Sequence, residues 1–103
     1  MRISIDFDGV LIDSKGIPRS TEVGIGEPKE NAAEAIKFLK GLGHDCFVFT
    51  ARREDEWGKI KEWLTRWGFP EMEITNKKTP FTVYIDDRAI RFTSWTDICK
   101  YFG

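Results

Sequence analysis

The chain opens on an apolar, β-branched run, Met1 to Ile5, that ends in Asp6-Phe7-Asp8-Gly9. Such a run reads as a buried strand, and Gly9 breaks it. Side chains alternate along a strand, so Asp6 and Asp8 are expected on one side, where the sheet stops. Two carboxylates that close repel each other unless a cation or a shared proton lies between them. Packing alone does not call for that cost. The pattern points to a magnesium-dependent nucleophile and acid pair at a strand end.

Val10 to Pro28 holds Gly16, Pro18, Gly24, Gly26 and Pro28, too much punctuation for a long helix. Residues 10–28 are read as an irregular, flap-like insertion, with room for a small hairpin. From Lys29 onward Ala32, Ala35, Ile36 and Leu39 recur at helical spacing until Gly41 and Gly43. His44 to Thr50 reads as a second buried strand. Ala51-Arg52-Arg53 leads into a helix with Trp57, Ile60, Leu64 and Trp67 on one stripe, stopped by Gly68 and Pro70. Trp63 falls off that stripe and is expected to be partly exposed. Glu73-Ile74-Thr75 and Phe81 to Ile85 supply two more strands, the second running into Asp86-Asp87. A last helix starts near Ser94, with Asp97 placed for a capping box, and includes Ile98 and Tyr101.

Strands alternating with helices imply right-handed crossovers and a mainly parallel sheet. The expected fold is α/β, a three-layer α/β/α Rossmann-like arrangement, with residues 1–103 forming one domain. Ligands in such folds sit beyond the carboxyl ends of the strands. Asp6 and Asp8, Thr50, and Asp86 and Asp87 all fall there.

Composition narrows the class further. Sixteen basic residues against seventeen acidic ones leave a formal charge of -1, which excludes a general nucleic-acid or membrane-surface binder. No apolar stretch is long enough for a membrane span. Cys46 and Cys99 are the only cysteines, and both are expected to be buried free thiols in a reducing cytoplasm. His44 begins a strand on the side away from the acids and reads as structural.

Four elements, in this order, resemble the haloacid dehalogenase-like hydrolase superfamily. They are Ile5-Asp6-Phe7-Asp8-Gly9-Val10, Phe47-Val48-Phe49-Thr50, a lysine (Lys78, with Lys77 as the alternative), and Val83-Tyr84-Ile85-Asp86-Asp87. The resemblance spans nearly the whole chain and implies a small capless member, since 10–28 is too short for a separate cap domain. It implies a phosphatase that hydrolyses a phosphomonoester through an aspartyl-phosphate. Asp6 would be the nucleophile, and Asp8 the acid for the leaving oxygen and then the base for water. Magnesium would be held by Asp6, Asp86 and the backbone carbonyl of Asp8, with Asp87 in support. Thr50 and Lys78 would bind the phosphoryl group. Arg52, just after Thr50, is a further candidate for contacting a substrate group such as the phosphate, a role the resemblance does not fix.

The substrate class is a phosphorylated small molecule or the phosphorylated end of a larger one. Oligomerisation is left open. Two other classes share part of this residue set: an idle binding module on the same fold, and a phosphoacceptor signalling domain. In the second the acid pair follows strand one and the phosphorylated Asp comes later, an order this chain lacks.

Overall fold

The structure, a computed structural model, describes residues 1–13, 26–78, 80 and 83–103. Strand β1 (Arg2–Asp6) leads to helix α1 (Ala32–Gly41), strand β2 (Asp45–Phe49) and, through a short turn at Glu54–Glu56, helix α2 (Trp57–Arg66). Strands β3 (Ile74–Thr75) and β4 (Val83–Ile85) and helix α3 (Trp95–Phe102) complete the chain. All pairings are parallel, in the order β3-β2-β1-β4. The fold is α/β and Rossmann-like.

The chain steps from β1 to β2 to β3 in one direction, so right-handed crossovers put α1 and α2 on the same face. Ile3 and Ile5, Cys46 and Val48, and Ile74 alternate onto that face and form one buried cluster with Ile36 of α1 and Ile60, Trp63 and Leu64 of α2. β4 then crosses to the far side of β1. The strand order therefore reverses between β1 and β4, where a ligand site is expected. The opposite face of the sheet carries Ser4, Asp6, Phe47, Phe49 and Tyr84. α3 is well capped, Ser94 Oγ accepting from the Asp97 backbone N–H at 3.1 Å. Yet it buries none of its residues.

Two packing expectations are corrected. Trp63 is fully buried, whereas Trp67 is 39% exposed. Gly68, at φ 77°, turns the chain back after α2, and the Phe69 N–H reaches Leu64 O at 2.9 Å. Phe69 then stacks on Trp63 at 5.5 Å and fills the position the helical stripe assigned to Trp67. Phe7 meets Trp63 edge-on at 5.3 Å, and the indole N–H donates to Gly26 O at 3.1 Å, so burial leaves no orphan donor. Cys99 is exposed, on a helix none of whose residues is buried, whereas Cys46 is buried as expected.

The two ends of the insertion pair with each other. Ile12 bridges Pro28 in antiparallel sense, and the Asp13 N–H donates to Glu27 O at 2.8 Å. These are the stems of the expected hairpin; residues 14–25 between them lie outside the described residues. The expected strand from Phe81 is described only over Val83–Ile85. His44 is half-buried, its Nδ1 2.9 Å from the Met1 amine, a structural role. Among the described residues, no helix is long and apolar enough to cross a membrane.

Candidate metal and phosphate site

β1 and β4 are neighbours, and each ends in an acid. One carboxylate oxygen from each of Asp6, Asp86 and Asp87 lies within 4.8 Å of the others. Asp6 is 8% exposed, and its Oδ1 accepts from the Phe7 N–H at 3.0 Å. Asp86 Oδ1 accepts from the Arg88 N–H at 2.7 Å, which fixes the turn leaving β4. Asp87 sits against Gly9, where a side-chain carbon would collide with its carboxylate. Gly9 also holds φ 84°, a conformation that glycine adopts at little cost. The first-motif glycine thus both ends the strand and makes room for the third acid.

Three carboxylates in so small a space match the donors of a hard divalent cation, which takes oxygen ligands and keeps several waters. The donor set therefore fits magnesium. Asp87, expected only in support, is a full member of the cluster.

Asp8 is not one of the three clustered acids. Its carboxylate, 14% exposed, is gripped by the Arg52 guanidinium, with Nε to Oδ2 and Nη2 to Oδ1 both at 3.0 Å. After Phe7, which alternates into the core with Ile3 and Ile5, the chain begins to coil. Phe7 O accepts the N–H groups of Val10, Leu11 and Ile12. The Asp8 charge is thus balanced by an arginine, while the carboxylates of Asp6, Asp86 and Asp87 crowd together.

Arg52 also reaches Glu56 Oε2 at 3.1 Å, and Trp57 Nε1 donates to Arg52 O at 3.1 Å. Burial works against the guanidinium charge, but the hydrogen bonds to Asp8 and Glu56 outweigh it and hold the pKa above its ordinary value. Glu56 did not stand out in the sequence. Its spacing four residues after Arg52 on a helix start was the available signal.

Thr50 follows β2 and is 1% exposed. Its backbone N–H donates to Thr75 O at 3.0 Å, and its Oγ1 accepts the Arg52 N–H at 3.1 Å. Thr50 and Asp8 are therefore joined through one residue. Lys78 lines a groove of roughly 550 Å³ with Asp6, Asp86, Phe49 and Tyr84, its Nζ 5.3 Å from the Tyr84 ring centroid. Lys77 is exposed, and its backbone N–H caps Thr75 Oγ1 at 3.1 Å. Of the two lysines, Lys78 shares the groove with the acids.

No family model matches the chain, and no curated protein matches it either. Two solved structures share its fold. One is a conserved protein from Bacteroides thetaiotaomicron, with a TM-score of 0.70 and 22% identity over 99% of this chain and 88% of that one. The other is a protein from Vibrio cholerae, with a TM-score of 0.54 and 21% identity over 98% of this chain and 95% of that one. At these identities the likeness supports the α/β architecture.

Proposed function

We propose that this chain is a magnesium-dependent phosphohydrolase that cleaves a phosphomonoester through an aspartyl-phosphate on Asp6. One observation carries the reading: carboxylate oxygens of Asp6, Asp86 and Asp87 gather within 4.8 Å at the reversal of strand order. Asp6, Asp86 and Asp87 would hold the cation, which supplies positive charge to the phosphoryl oxygens. An oxygen of Asp6 attacks phosphorus, and the bond from phosphorus to the leaving oxygen breaks. Asp8 gives that oxygen a proton, then takes one from the water that hydrolyses the acyl phosphate. Arg52 fixes the orientation of Asp8. Thr50 and Lys78 bind the phosphoryl group, one by its hydroxyl and one by its charge. A phosphorylated small molecule, or a phosphorylated end of a larger one, suits a chain whose insertion at 10–28 is this short. Two unpaired thiols, Cys46 and Cys99, accord with a cytoplasmic setting.

A second reading, an idle binding module, draws on the Arg52 fork, which engages both oxygens of the residue that must move a proton. Hydrolysis of a generic aryl phosphate with and without magnesium separates the two. The phosphatase reading expects turnover that needs the cation, is abolished by Asp6→Asn, and falls about 10²-fold or more in Asp8→Asn. Magnesium binding by calorimetry, without turnover on any phosphate of a broad panel, selects the binding module. A phosphoenzyme lasting minutes selects a signalling domain.

A further inference from the structure

Among the described residues twelve large hydrophobic side chains are exposed, and eight of them fall between Val83 and Phe102. Exposure is therefore concentrated in β4, α3 and the segment between, not scattered as on an ordinary surface. Ile90 is 42% exposed, Phe92 59%, Trp95 72%, Tyr101 71% and Phe102 76%. Trp95, Ile98 and Phe102 form one stripe of α3, at spacings of three and four residues.

An eight-residue helix has too few turns to hold itself in water, where about 12–15 residues are already marginal. Its cap at Ser94 contributes only about 1 kcal/mol. Packing of the apolar stripe has to supply the rest. β4 raises the complementary problem. It is an edge strand, described over Val83–Ile85, whose three residues are each 39–40% exposed, beside the groove that Phe49 and Tyr84 share with Asp6, Asp86 and Lys78.

We propose that this surface is the two-fold interface of a homodimer, in which α3 of each copy covers the β4 side of the other copy's sheet. Every chain brings an edge strand and a helix that stay exposed among the described residues, so a reciprocal exchange satisfies both with no third component and closes as a two-fold. The size is adequate. An aromatic side chain buries roughly 150–250 Å² when fully covered, so five partly exposed ones offer on the order of 700 Å² per copy. A standard stable interface takes roughly 800 Å² from each partner. Trp95 is the expected anchor, since large aromatics near the centre of a patch carry most of the association energy.

Sedimentation equilibrium of the full chain tests this, with a dimer of twice 11.9 kDa expected from micromolar concentrations upward. Trp95→Glu raises the dissociation constant at least about thirtyfold. Tyr84→Glu, on the receiving surface, does the same. Mixing the two variants restores association, because one intact helix then meets one intact groove. Trp95 and Tyr84 are exposed in a single copy, so both variants keep the far-UV circular dichroism of the parent. Should Trp95→Glu lose that spectrum, Phe92→Glu, outside the helix, takes its place. A chain that stays monomeric at all concentrations overturns the proposal, as does a dimer indifferent to these substitutions. Failure of the mixed variants to associate overturns the reciprocal exchange.

Discussion

Arg52 holds both carboxylate oxygens of Asp8 in a two-pronged grip, each contact 3.0 Å long, while its third nitrogen reaches Glu56. The fork spans 44 residues of sequence and ties the loop after β1 to the loop after β2. A planar guanidinium matches a carboxylate edge in a way an ammonium does not. Arg52→Lys is therefore expected to keep the charge, lose the orientation, and lower kcat on an aryl phosphate about tenfold with little change in KM. In an Asp8→Asn background the same substitution adds almost nothing, because the carboxylate it positions is gone. Steady-state kinetics of the double-mutant cycle reads the coupling.

The acid cluster predicts a change of sign. With a chelator present, Asp6, Asp86 and Asp87 repel one another, and Asp86→Asn removes one charge while keeping the oxygen that accepts from Arg88. Its melting temperature then rises by about 2 °C, the effect of a small surface charge term on a domain this size. In excess magnesium the parent gains stability by mass action and the variant gains much less, so their order reverses. Thermal melts in both buffers decide it. An unchanged order removes the cation from Asp86.

Gly9 and Gly43 both hold positive φ, at 84° and 92°. Alanine at either position costs about 1 kcal/mol or more through backbone strain. Only at Gly9 does the added carbon meet the Asp87 carboxylate; nothing lies near Gly43. Gly9→Ala is thus expected to weaken magnesium binding at least about tenfold, while Gly43→Ala leaves it unchanged. Calorimetric titration of magnesium into the two variants makes the comparison.

Trp63→Ala is expected to cost about 3–5 kcal/mol, the loss of a fully enclosed aromatic together with its cavity. The urea midpoint reports it. Trp67→Ala, on a residue 39% exposed, costs about 1 kcal/mol or less. Equal losses at the two positions would contradict the way Phe69 closes the core.

Cys46 supplies a pH test of burial. Burial raises its thiol pKa above the ordinary 9.0, with smaller opposing contributions from Lys40 and the chain amine. The folded chain therefore keeps this proton where the unfolded chain gives it up. The associated stability is complete below pH 9 and is lost as pH rises toward the folded value. Cys46→Ala flattens that part of the decline. Urea unfolding at pH 7.5 and above pH 9, in parent and variant, isolates it from the titration of lysines and tyrosines.

Much of the frame was legible in residues. Apolar runs ending at Asp6, near Thr50 and at Asp86 announced parallel strands, and the capping pair Ser94 and Asp97 announced α3 where it begins. Local periodicity reports such features because it follows from backbone geometry alone. The helical stripe places Trp67 inside and Trp63 at the surface; the structure reverses them, because the turn at Gly68 brings Phe69 under the helix, and no helical wheel contains that turn.

Sequence by itself determined the strand and helix order, the parallel sheet it entails, and the placing of acids at strand ends. Tertiary structure decided that Asp87 joins Asp6 and Asp86, and that Arg52 takes Asp8. β4 lands beside β1 and brings Asp86 and Asp87 to Asp6, while the loop after β2 brings Arg52 to Asp8. Spacing within one strand fixes direction over a few residues, but convergence of charges depends on distant segments, and only the packed chain sets their positions.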